Sequence, residues 1–293
     1  LTGATQQTLK PASTPFITES PMGSVSCSGH CPICGARCCS GNTPTPNEDG
    51  DSPTAVPQQE GRLRPFAAQL LMKLLYGARV ARYDLLKAIG DLARQIHKWT
   101  PLCDKKLHRL MCYVNSTIEK NLVGWVGDDL ADLDLCLFCD ADFAGDTSSL
   151  RSTSGIYLCI KGPHTSWPLQ GVSKGQTCVS HSTPESELVA GDAGLRLEGL
   201  PAVSLWRVLL GRQAKLKFYE DNESMIRVCQ TGRNPTMRHM GRTHNVSVKW
   251  LHERTLGPDM ELEYARSNDQ AGDIFTKAFT LSLIHISEPT RRT

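Results

Sequence analysis

At about residue 132 the apolar residues change period, and that change constrains the fold more than any other feature of the chain. Before it, Phe66, Leu70, Leu71, Leu74 and Leu75, then Leu85, Ile89, Leu92 and Ile96, fall at helical spacing. Thr100-Pro101 offers an N-cap followed by proline at the first helical position, and Leu107, Leu110, Met111, Val114 and Ile118 continue as a third helix. After it, Leu133, Leu135, Leu137 and Cys139 alternate with Asp134, Cys136, Phe138 and Asp140, the period-2 pattern of a strand, here ending on a carboxylate.

Two further strands are predicted over 154–160 and 164–167, joined by the turn Lys161-Gly162-Pro163. Thr183-Pro184 repeats the cap-and-proline signal and opens a helix through Glu187 and Leu188, which Gly199-Leu200-Pro201 is expected to interrupt before Leu205, Trp206, Leu209 and Leu210. Residues 215–221 and 260–265 read as a fourth and fifth strand. Helices are expected near 224–230, 246–254 and 269–279. Strands in a run, then strands alternating with helices, imply an α/β chain with a mixed sheet and helices on its faces.

Residues 1–60 are rich in Thr, Ser, Pro, Gly and Gln without apolar periodicity and read as a disordered linker. Within it Cys27, Cys31, Cys34 and Cys38 have spacing that could supply four thiolates to zinc, but the long loop and core of a closed site are missing, so zinc is not favoured. Cys39 adjoins this group, and the remaining seven cysteines are scattered, several in apolar runs, which suits a reducing intracellular compartment better than a disulfide framework. The chain begins with Leu and shows no signal-peptide pattern, so it reads as a fragment. No apolar run approaches the roughly 20 residues of a spanning helix, so no membrane partner is expected.

Charge is uneven. Residues 1–60 carry 2 basic and 5 acidic groups, residues 61–127 carry 12 and 4, and the remainder 18 and 21. A basic helical segment over 61–127 beside an acidic region suits a polyanion surface next to a carboxylate-lined metal site, although solvated basic helix faces are also common. Asp140 and Asp221 each close a strand pattern, and Glu187 and Asp273 fall in the first turns of predicted helices. Carboxylates gathered at one sheet edge repel unless cations neutralise them, and hard oxygen donors suit Mg²⁺. Taken singly, each acid is equally a turn former or a helix-dipole partner.

Four motifs sharpen this. Cys139-Asp140-Ala141-Asp142-Phe143-Ala144-Gly145 with Arg151-Ser152-Thr153-Ser154-Gly155, then Ser182-Thr183-Pro184-Glu185-Ser186-Glu187, Tyr219-Glu220-Asp221-Asn222 and Ala271-Gly272-Asp273-Ile274-Phe275-Thr276-Lys277 resemble, in order and spacing, the ribonuclease H domain of copia-type retrotransposon Pol polyproteins. The likeness covers about 132–280, and 74–125 resembles the helical end of the preceding reverse transcriptase region. The resemblance implies a ribonuclease H-like fold, a five-stranded mixed sheet with helices on both faces. It implies Asp140, Glu187, Asp221 and Asp273 as catalytic metal ligands for two Mg²⁺ ions, with Mn²⁺ able to substitute, and makes Asp142 and Glu185 neighbours rather than ligands.

The implied reaction is endonucleolytic hydrolysis of the RNA strand of RNA/DNA hybrids during reverse transcription. The hybrid would be held through 2′-hydroxyls and phosphates, for which Asn222, Arg151, Arg242, Lys105, Lys106 and Arg109 are candidates. The expected partners are the hybrid and the upstream reverse transcriptase region of the same polyprotein, in the cytoplasm within a virus-like particle or in the nucleus. The chain departs from the family pattern in having Phe143 in place of Trp and Gly272 in place of Ala, where glycine weakens a helix, and in lacking a His at 265–267. His244 and His252 read as surface or capping residues. Residues 281–293 leave the pattern abruptly and resemble an in-frame translation of a sequencing adapter. Competing readings are a catalytically decayed copy that only binds nucleic acid, and a transposase or integrase, which uses two Asp and a late Glu; here the Glu comes second.

Overall fold

The computed structural model describes residues 9–17, 60–146 and 148–278. The candidate zinc cysteines at 27–38, the rest of the N-terminal linker and the 281–293 tail lie outside these described residues. Residues 9–17, inside the stretch read as linker, pack on the helical segment. Ala12 is buried, its N–H and C=O both meet Ser116 Oγ, and Arg109 Nε donates to the Thr14 carbonyl at 2.9 Å.

Three helices come first: α1 (Arg64–Ala81), α2 (Leu86–Arg94) and α3 (Pro101–Ser116). The Thr100 hydroxyl accepts from Cys103 N, and Pro101 occupies the first turn of α3. Between α1 and α2, Arg82 is forked onto Asp84, which also accepts from Tyr113 of α3 at 2.8 Å. The segment is thus tied by a partly buried polar knot as well as by apolar packing.

The sheet has five strands, β1 (Asp134–Asp142), β2 (Thr153–Gly162), β3 (Thr165–Gly175), β4 (Leu216–Glu220) and β5 (Met260–Tyr264), in the order β3-β2-β1-β4-β5. β1, β2 and β3 pair antiparallel, whereas β4 is parallel to β1 and β5 parallel to β4. β1 runs two residues beyond Asp140, because Ala141 and Asp142 still pair with Ser154 and Thr153. Alternation sends Cys136 and Phe138 to one face, in a core shared with Leu71, Ile89, Leu110 and Phe275. Leu135, Leu137 and Cys139 face the other, against α4 (Thr183–Gly194), α5 (Leu200–Leu210), α6 (Glu223–Thr231) and α8 (Val248–Thr255); the short α7 spans Met240–Thr243. Helices therefore cover both faces, and the helical segment shares its core with the sheet.

Two expectations are corrected. Gly199-Leu200-Pro201 does not interrupt the helix: a five-residue π-helical turn, Leu195–Gly199, joins α4 to α5. Pro201 cannot donate a helical hydrogen bond and crowds the carbonyl four residues before it, and a wider turn accommodates both effects. The final helix predicted over 269–279 is replaced among the described residues by two 3₁₀ turns, Ser267–Asp269 and Ala271–Phe275. Buried Gln270 clamps this segment, its Nε2 donating to the Cys139 carbonyl at 2.9 Å and its Oε1 accepting from Gly272 N. No helix among the described residues is long and apolar enough to cross a membrane.

Candidate active site

Parallel pairing of β1 with β4 brings the ends of both strands to one edge of the sheet, so Asp140 near the end of β1 meets Asp221 just beyond β4. Glu187, the fifth residue of α4, arrives from the helix packed on β1. One carboxylate oxygen from each of Asp140, Glu187 and Asp221 lies within 4.8 Å of the other two. Asp273, on the 271–275 turn, is outside that group of three but adjoins Asp140 through Lys277, whose Nζ is 2.7 Å from Asp273 Oδ1 and 3.8 Å from Asp140 Oδ1.

Gly272 is explained by this approach, not by helix propensity. A Cβ there would lie 2.9 Å from Asp140 Cβ and 3.1 Å from Asp140 N, closer than side-chain carbons pack. The bare backbone lets the turn lie against β1 and set Asp273 beside Asp140.

Burial dominates the electrostatics. Asp140 is pushed up to about 6, first by desolvation and then by the charge of Asp273, with Lys277 and the Thr276 hydroxyl opposing. That hydroxyl donates to Asp140 Oδ2. Glu187 is raised further, by burial and then by the charges of Glu220, Asp140 and Asp221. Asp273 is also raised by burial, against Lys277. Glu187 Oε2 is buried with no hydrogen-bond partner, so this pocket of acids has oxygen donors to spare and too little positive charge nearby. All-oxygen donors with spare lone pairs fit a hard divalent ion.

The site holds residues that the sequence reading passed over. Glu220 is fully buried at the end of β4, accepts from Asn222 N through Oε1, and is raised by burial. It alternates with Leu216 and Phe218, which could have placed it inside. Thr276 and Lys277 follow Asp273 at the i+3 and i+4 spacing that brings side chains together on a helical turn. From α2, Lys87 Nζ is 3.9 Å from Asp142 Oδ2, and Arg94 donates to Thr153 Oγ1 at 3.0 Å. Both basic groups come from the helical segment that precedes the sheet.

The substrate-contact candidates are dispersed. Arg151, Arg242 and Lys105 are exposed. Asn222 caps α6, its Oδ1 accepting from Met225 N. Arg109 is engaged with Thr14, and Lys106 is half-buried and also has a partner. His252 does cap, its Nδ1 lying 2.7 Å from the Cys229 carbonyl in the last turn of α6. His244 is a correction: its side chain is 1% exposed and its Nε2 is 2.9 Å from Glu185 Oε1, because burial of that carboxylate requires a partner.

No family model matches the chain. It is 25% identical over 230 residues to the retrovirus-related Pol polyprotein from transposon TNT 1-94 of Nicotiana tabacum, covering 77% of this chain and 16% of that polyprotein. It is 33% identical over 117 residues to the secreted RxLR effector protein 161 of Plasmopara viticola, covering 40% of this chain and 78% of the relative. Among solved structures, LC11-RNase H1 isolated from compost overlaps 49% of this chain and 92% of its own at 13% identity and a TM-score of 0.28. The chain is similar to part of a retrotransposon Pol polyprotein, and the order and directions of its strands are those of a ribonuclease H-like domain.

Proposed function

We propose that the chain is a copia-type ribonuclease H that cuts the RNA strand of RNA/DNA hybrids during reverse transcription. The observation that carries this reading is the convergence of Asp140, Glu187 and Asp221 within 4.8 Å. Those three residues would hold Mg²⁺, with Asp273 beside Asp140; the bound ions would activate a water and stabilise the leaving oxygen of an in-line displacement. Thr276 fixes the orientation of Asp140, and Lys277 offsets the charge shared by Asp140 and Asp273. The exposed Arg151 and Arg242, with the partly exposed Arg94, supply positive charge for phosphates, and choice of the RNA strand rests on its 2′-hydroxyls. The hybrid is delivered, in this reading, by the reverse transcriptase region upstream in the polyprotein.

A non-catalytic copy that only binds nucleic acid has one observation in its favour: the Lys277 ammonium occupies the Asp273 oxygen that a cation would need. Cleavage of an end-labelled hybrid by the full chain separates the two. Mg²⁺-dependent cutting, abolished in Asp140→Asn and Asp221→Asn with hybrid binding retained, is the expected result. Binding without cutting by the unaltered chain would overturn the nuclease reading.

A further inference from the structure

A second group of metal-ligating side chains lies away from the four acids. His181 in the loop before α4, Glu185 in its first turn, and His239 just before α7 bring one ligand atom each to within 4.8 Å of the others. We propose that His181, Glu185 and His239 form a zinc site that pins the 239–244 segment to the start of α4. It does not depend on the nuclease reading.

The geometry is close to what the ion requires. His239 Nε2 is 3.1 Å from Glu185 Oε1. Two ligands bound at about 2.0–2.1 Å to a tetrahedral zinc stand roughly 3.3 Å apart, so this pair needs little movement. The His181 ring meets His239 edge-on with centroids 5.4 Å apart, and the His181 N–H donates to Glu185 Oε2, which holds the loop against the carboxylate. His244 approaches Glu185 Oε1 from the protein interior and orients it, the part an outer-shell partner plays at metal sites. The Cys178 thiol donates to the Thr243 carbonyl at 2.9 Å, a second tie between the same two segments.

The donor set separates this site from the acidic one. Two imidazoles and a carboxylate suit zinc better than Mg²⁺, which prefers all-oxygen surroundings. Three protein ligands leave a fourth position for water. Glu187 follows Glu185 by two residues on α4, so an ion here would also stiffen the helix that presents Glu187.

The test uses the full chain with Cys27, Cys31, Cys34, Cys38 and Cys39 changed to Ser, dialysed against Zn²⁺ in excess Mg²⁺ so that neither thiolates nor the acidic pocket take up zinc. One zinc per chain is expected. The affinity should fall by about tenfold or more in His181→Ala, an exposed position whose loss spares the core, and in His239→Ala. Replacing zinc with Co²⁺ should give visible absorption without a thiolate charge-transfer band, lost in the same variants. No zinc bound, or equal zinc affinity in the parent and both variants, would overturn the site. Mg²⁺-dependent hybrid cleavage, measured separately, reports on the nuclease reading alone.

Discussion

Gly155 stands opposite Asp140 in the pairing of β1 with β2, and the room its side chain would need is filled by the turn that carries Asp273. A Cβ at Gly155 would lie 2.7 Å from the Gly272 carbonyl oxygen, 2.7 Å from Thr276 Cγ2 and 3.0 Å from Phe275 Cβ. Two of these neighbours are backbone or first side-chain atoms and cannot rotate away. Gly155→Ala should therefore push the 271–276 turn off the sheet, costing about 1–3 kcal/mol in denaturant unfolding and lowering hybrid cleavage. An unchanged denaturation midpoint would show that the turn is not held there.

The buried acids make stability depend on pH in a stated direction. Asp140 and Glu187 are raised, so the folded chain keeps protons that the unfolded chain has released, and stability falls as pH rises. For Asp140 the loss begins near the ordinary carboxylate value of about 4 and is complete above about 6, amounting to roughly 3 kcal/mol. Thermal unfolding in EDTA should show a lower Tm at pH 8 than at pH 5. Asp140→Asn should flatten that slope, and Mg²⁺ or Mn²⁺ should raise the Tm mainly at the higher pH. A slope of equal size in wild type and Asp140→Asn would remove this account.

How far the sequence foretold these features depends on whether the cause is local. The change of period at 132, the Thr100-Pro101 cap and the alternation along β1 are local, and each element formed where its pattern lay. The terminal helix failed because a distant strand decides its shape: Gln270 bonds Cys139, and Gly272 presses on Asp140, at positions more than a hundred residues away. Asp140, Glu187 and Asp221 come together because β4 lies parallel to β1 and α4 packs on β1. Asp273 is tied in by Lys277, four residues further on, at the spacing that brings side chains together on a helical turn. The contact of Glu185 with His239 bridges 54 residues between segments with no shared periodicity, so only the folded chain brings it to view.

Glu220 and Glu187 are both buried acids with an unpartnered oxygen, yet their substitutions should behave differently. Glu220 is raised well above the usual carboxylate range by complete burial, which disfavours its charged form. Glu220→Gln keeps the shape and removes the possibility of an unpaired buried charge, which is costly. Its stability should equal or exceed that of wild type, and cleavage should stay close to wild type. Glu187→Gln should keep the fold and lose cleavage, because its oxygen belongs to the group proposed to hold the cation. Loss of cleavage in Glu220→Gln with the fold intact would make Glu220 part of the catalytic machinery.

Lys277 serves as an internal counter-ion to the pocket, with Nζ at 2.7 Å from Asp273 and 3.8 Å from Asp140. Lys277→Met retains most of the stem and removes the charge. Since the ammonium is half exposed, the metal-free chain should lose only on the order of 1 kcal/mol at neutral pH. In the proposed site a divalent ion would compete with this ammonium for the same oxygens, so its removal should enlarge any rise in Tm on adding Mg²⁺ or Mn²⁺. Thermal unfolding of both proteins with EDTA and with each ion measures the difference directly. Equal metal-induced shifts would mean that Lys277 and the cation do not share Asp273, placing the ion on Asp140, Glu187 and Asp221 alone.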